Sequence, residues 1–216
     1  MQLYYFVVCG VELCYNEDMT KIVDHDQRRL LIAGAALRVI KQMGMKGATV
    51  RNIARESGLS LGALRHYFST QNDLIDFSMS LVKEQATARI VELFKLDIPL
   101  FQKVLRILLE LLPTDDNKLA EMEVWFAYTA HYRSSGTAFD AQHDGILKLV
   151  ERLIRSLKES GMLRPELDCA LETERIYALI DGIALHAFLD TKRVNYEHIV
   201  NLVTYHMKSI CTEEAY

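Results

Sequence analysis

The sequence predicts an all-α fold of about nine helices, a short three-helix head followed by a larger helical body, and three observations carry that prediction. Only three of the 216 residues are proline, Pro99, Pro113 and Pro165, so long stretches lack the ring clash and missing N–H that break helices. Apolar residues recur at helical spacing in segment after segment, with no alternating strand pattern between them. The segments end at Gly, Pro or Ser/Asp-rich breaks, the punctuation expected between helices. Half the residues are hydrophobic and the net charge is only −4, which excludes a disordered chain, and ten glycines are too few for a collagen-like repeat. No apolar run approaches the roughly 20 residues that a membrane-spanning helix needs.

Residues 1–18 are apolar and aromatic, but no cation precedes the apolar stretch and Glu12 interrupts it, so they do not read as an export signal. Two readings stand for this segment: translation upstream of a start at Met19, or an arm packed against the body. The mass of the native protein separates them. From about Asp26 to Met43 the residues Ile32, Ala36, Val39, Ile40 and Met43 form one helical face, and Gly44 ends it as a C-cap. Thr49 then stands before the stripe Val50, Ile53, Ala54 and Ser57, placed to cap a short second helix through its hydroxyl. Gly58, Leu59 and Ser60 make a turn, and Ser60 caps a third helix over Leu61 to Phe68, with Leu64 and Phe68 pointing inward. Longer helices follow at roughly 72–94, 100–112, 117–133, 139–160, 171–189 and 195–211.

Charge is segregated along this plan. Residues 19–72 hold nine Lys/Arg against three acids, a surplus of +6, while residues 73–216 carry −7 and residues 1–18 carry −3. The chain therefore divides into an uncertain extension (1–18), a basic head (19–72) and an acidic body (73–216). A basic head suits phosphate binding, and the body is left for another task. Cys9, Cys14, Cys169 and Cys211 form no C-x-x-C pair and no zinc spacing with histidine, so reduced thiols, no metal and a cytoplasmic setting are expected.

Two short helices joined by a tight glycine turn, following a longer helix inside the basic segment, meet the description of a helix-turn-helix. The string TVRNIARESGLSLGALRHYF, Thr49 to Phe68, resembles the signature of TetR-family transcriptional repressors. Helix 61–68 fits the major groove, where Leu61, Gly62 and Ala63 begin it and the small Gly62 and Ala63 let the backbone approach DNA. Arg65, His66 and Tyr67 are expected on the face opposite Leu64 and Phe68. Arg51 reaches a guanine edge or a phosphate, and the resemblance favours the base. Thr49 and Ser60, with the free N–H groups at both helix starts, are phosphate anchors; Arg28 and Lys46 add exposed charge. Two positions depart from the family pattern: Arg65 where many members have Tyr, and Gln71 where many have a phosphate-binding Lys.

A two-fold operator demands a dimer. The resemblance implies that the last two helices, residues 171–211, form its interface, with Ile176, Ile180, Ile183, Ala184 and Ala187 on one face and Ile199, Leu202, Val203, His206 and Ile210 on the next. An internal core would produce the same periodicity. In the middle of the body Trp125, Phe126, Tyr128, His131 and Tyr132 gather the aromatic and polar groups that an enclosed small-molecule site uses. This region resembles that of choline-responsive BetI-type regulators, where aromatics can cage a quaternary ammonium ion. His131, Asp140, His143 and Asp144 match no metal or triad spacing, and no phosphate loop, nucleophile elbow, H-E-x-x-H or dinucleotide motif is present, so neither an enzyme nor a bound cofactor is expected. The expected function is a repressor that binds a palindromic operator as a homodimer and is released by a small-molecule inducer. A helical protein-interaction adaptor without sequence-specific DNA binding is the alternative, and neither involves a membrane.

Overall fold

Capping and burial explain the helices one by one. The structure, a computed structural model, describes residues 17–68, 70–134 and 145–216, and side chains within these from Arg28 onward except those of Gln71 and Ser134. Among the described residues there are nine α-helices and no strand, only an isolated antiparallel bridge between Leu163 and Cys211. No helix among them is long and apolar enough to cross a membrane. Residues 1–16 and 135–144, with Cys9, Cys14, Asp140, His143 and Asp144, lie outside the description.

α1 (Glu17–Gly47) buries Ile32, Ala36, Val39 and Ile40, but Met43 is 50% exposed. That departs from the expected face, because the chain swings away at Gly44, whose φ of 69° interrupts the helix at the predicted stop. α2 (Val50–Ser57) begins where the Thr49 hydroxyl accepts from Asn52 N–H at 3.2 Å and ends at Gly58, with φ 70°. α3 (Leu61–Tyr67) begins where the Ser60 hydroxyl accepts from Ala63 N–H at 3.1 Å. Phe68 is expected as its last turn. Instead it is extended, closing the helix through its N–H to Leu64 O while its ring stays buried against Phe77, centroids 4.8 Å apart.

α4 (Gln71–Lys95) opens with a capping box between Thr70 and Asp73. Then come α5 (Leu100–Glu110), α6 (Asp116–Ser134), α7 (Ile146–Glu159), α8 (Cys169–Leu189), capped by Asp168, and α9 (Tyr196–Ile210), capped by Asn195. The segment expected at 139–160 is described only from Gly145 onward.

Two apolar cores result. The head core joins α1, α2 and α3 to the first half of α4, through Leu74, Met79 and Val82, and to Ala120 and Val124 of α6. The body core takes α5, α7, α8 and α9, with Ile90, Leu93 and Phe94 from the second half of α4. Residue 72 falls in the first turn of α4, so one continuous helix serves both cores.

The faces of α8 and α9 expected at a dimer interface lie inside the protomer. Ile176, Ile180, Ile183, Ala184 and Ala187 are at most 5% exposed and belong to the body core with Ile199, Val203 and Ile210; Leu202 packs against it. The reason is that α8 is apolar on more than one side. Its outward side still shows Leu171 and Leu189 to solvent. Cys211 is fully buried, and that burial pushes its thiol up to about 11 despite Arg164 nearby, so it acts as a small apolar filler.

Candidate nucleic-acid interface and ligand cavity

On the head, Thr49, Arg51, Ser60, Gly62, Arg65 and His66 are exposed together at the starts and outer faces of α2 and α3. Leu61, Ala63 and Tyr67 are half-buried, and Leu61 and Tyr67 lean on the head core, so Tyr67 projects less freely than its position in sequence suggests. Arg55, one turn after Arg51, adds an exposed guanidinium that sequence reasoning missed although the i, i+4 spacing carries it. Arg38 counts among the cations of the head but serves its fold: its Nε lies 2.6 Å from Glu56 Oε1, tying α1 to α2. At Gly62 an added Cβ would meet nothing closer than Ser60 Oγ at 4.0 Å. The fold itself has room for a larger residue there, so packing within the protomer does not require the glycine.

Behind the head lies a cavity of about 1040 Å³ walled by α4, α6, α7 and α8. Its walls are mainly apolar, and a space this size matches the upper end of small-molecule sites, roughly 300–1,000 Å³. Trp125 and Phe126 line it, as expected; Tyr128, His131 and Tyr132 do not. Helical rotation of about 100° per residue carries only His131 well away from Trp125; Tyr128 and Tyr132, three and seven residues on, stay near its side of α6, and packing toward the head keeps them off the wall. Tyr128 packs on the head core and on Tyr132, ring centroids 4.5 Å apart, with Lys83 Nζ 5.6 Å from its ring centroid. Burial, reinforced by Tyr132, pushes its hydroxyl up to about 12, so it stays neutral.

One end of the cavity holds a charged cluster that no local pattern announced, because its members are far apart in sequence. Arg89 forks onto Glu121, NH1 to Oε1 at 2.9 Å and NH2 to Oε2 at 2.7 Å, and its Nε donates to Glu110. Lys118 Nζ donates to Glu110 Oε2 at 2.9 Å and to Thr114 Oγ1 at 3.0 Å. Burial works against the Arg89 charge, but the two carboxylates outweigh it and raise its pKa.

α6 also reaches the head directly. Glu123 Oε1 accepts from Met45 N–H at 2.6 Å, beside the Gly44 break, where an added Cβ would sit 2.7 Å from that oxygen. Lys41 Nζ donates to Asn117 Oδ1 at 2.9 Å.

A capped helix-turn-helix with an exposed basic face, joined through α4 and α6 to a half-open cavity, defines a helical DNA-binding transcriptional regulator. Comparison with known proteins agrees. The pattern of bacterial regulatory proteins of the tetR family matches residues 32–76, and that of the C-terminal part of BetI-type transcriptional repressors matches residues 102–212. The chain is 52% identical to the HTH-type transcriptional regulator PksA of Bacillus subtilis (strain 168), over 91% of this chain and 96% of that one. It is 27% identical to the HTH-type transcriptional regulator BetI of Vibrio vulnificus (strain YJ016), over 78% of this chain and 84% of that one. A crystal structure of a transcriptional regulator from Saccharomonospora viridis in complex with choline shares the fold, with a TM-score of 0.73 at 20% identity, covering 87% of this chain and 100% of that one.

The chain belongs to the TetR family and is a helix-turn-helix transcriptional regulator, a non-enzymatic class.

Proposed function

We propose that this regulator is a cytoplasmic homodimer that represses by holding a palindromic operator and releases it when a small molecule fills the cavity. The observation that carries the reading is α6, which lines the cavity with Trp125 and Phe126 and holds the head through Glu123. On DNA, α3 enters the major groove: Gly62 and Ala63 permit close approach, Arg65 and His66 reach base edges or phosphates, and Leu61 and Tyr67 flank them. Arg51 reads a guanine or a phosphate, while Thr49 and Ser60 stand at helix starts whose N–H groups attract phosphate. The dimer forms through the outward side of residues 171–211, where Leu171 and Leu189 are exposed. Filling the cavity shifts the population toward a spacing of the two α3 helices that no longer matches successive grooves.

Selection of bound fragments from a genomic DNA pool tests this, and the expected outcome is a single palindromic site. Arg65→Ala should weaken that complex and lower its salt slope by about 1. Unchanged affinity and slope would remove Arg65 from the interface, and failure to enrich any site would overturn the reading.

A further inference from the structure

The charges and aromatic faces of the cavity discriminate between ligand classes, given the reading above that the cavity is the ligand site. We infer that it takes an amphiphilic anion, a large apolar body with one oxyanionic head, and not a quaternary ammonium ion. A cationic ligand needs an uncommitted carboxylate or an open aromatic face. The carboxylates of Glu110 and Glu121 on the wall are already matched by Arg89 and Lys118, so this quartet is neutral as a unit. Of the four aromatic side chains on the wall, Phe94 is covered by the Arg152 guanidinium, 4.8 Å from the ring centroid, Phe126 packs on Phe188 at 5.0 Å, and Trp125 packs in part against the head core; the fourth is Tyr177. A second cation near Phe94 would face Arg152 directly.

Among the described residues, the wall beyond the quartet carries Lys83, Arg133 and Arg152 against Asp181, a surplus of two positive charges. Among the described residues none of these three cations forms an ion pair; Lys83 and Arg152 rest on the rings of Tyr128 and Phe94. Each therefore keeps N–H donors for an anion, and guanidinium groups bind oxyanions in a fixed fork. The remaining wall, including Val82, Ile90, Met122, Leu149 and Ile180, offers apolar surface for the body of the ligand. A small quaternary ammonium ion would leave most of about 1040 Å³ to water.

Trp125 is the single tryptophan of the sequence and lies on the cavity wall, so its emission reports occupancy in the intact protein. Decanoate, decyltrimethylammonium and decanol, one chain length with three head-group charges, are titrated below micellar concentrations beside choline. Decanoate is expected to saturate the Trp125 signal at least about tenfold more tightly than decyltrimethylammonium, the scale of one charge-assisted hydrogen bond. Arg152→Gln and, separately, Arg133→Gln are expected to weaken decanoate severalfold and leave decanol unchanged. Decyltrimethylammonium or choline binding as tightly as decanoate overturns the anion assignment while keeping the cavity as a site. Decanol matching decanoate in the unsubstituted protein does the same. If none of the probes moves the Trp125 signal, the cavity reading itself fails, and the anion assignment with it.

Discussion

Gly62 and His206 are residues that the protomer's own packing does not require, one beside open space and one with a buried, unpartnered nitrogen. Glycine inside a helix costs about 1 kcal/mol relative to alanine, and the space beside Gly62 is open. Gly62→Ala is therefore expected to raise thermal stability, by about 0.5–1 kcal/mol, while weakening operator binding. Melting and DNA titration of one variant read both; tighter or unchanged DNA binding would mean that nothing approaches there. His206 lies on α9 with its Nε2 buried and unpartnered, and burial, with Arg175 adding repulsion, pulls its pKa down to about 4 from 6.5. Folding thus favours the neutral ring. Its contribution to stability is complete above about pH 6.5 and is lost as pH falls from there toward about 4, because the unfolded chain takes up the proton first. Unfolding midpoints across that range should flatten in His206→Gln, and equal slopes would refute the assignment. Caps such as Thr49 and Ser60 were legible in the sequence because their hydrogen bonds span three residues. The Arg89 cluster was not, since Glu121 lies 32 residues away.

At the scale of the helix, α6 does two jobs on two faces. Lys118, Glu121, Met122, Trp125, Phe126 and Thr129 face the cavity at helical spacing, while Ala120, Val124 and Tyr128 pack into the head core. The sequence presents Trp125 to Tyr132 as one aromatic group, and helical spacing does not divide it, since Tyr128 and Tyr132 stand three and seven residues from Trp125. Only packing assigned Tyr128 and Tyr132 elsewhere. Glu123 holds the end of α1 from this helix, so Glu123→Ala should leave Met45 N–H without its partner at a cost of about 1–3 kcal/mol. Faster hydrogen exchange at Met45 and a lower Tm are the expected readouts. Glu123→Gln keeps an accepting oxygen and should restore most of both, whereas unchanged protection in the alanine variant would show that this bond contributes nothing.

The whole molecule is organised by α4 and α6, which run between the two cores and leave the outward side of α8 uncovered. Leu189 is 69% exposed and Leu171 71%, whereas Ile180 is 2% exposed. Leu189→Arg is expected to yield a folded monomer in light scattering at micromolar concentration, with helix content retained; Ile180→Arg should instead unfold the body, because it would bury an unpaired charge. A Leu189→Arg protein that keeps its original mass would place the interface elsewhere. By itself the sequence determined the helical class, the helix-turn-helix with its caps, the basic head and the family, because periodicity, capping and charge are local properties of neighbouring residues. The tertiary structure alone decided which apolar face of α8 is core, which aromatics of α6 meet the cavity, and how Glu110 and Glu121 are neutralised. Each of these depends on contacts between segments far apart in the chain, where a residue's type states what it can pair with but not what it meets.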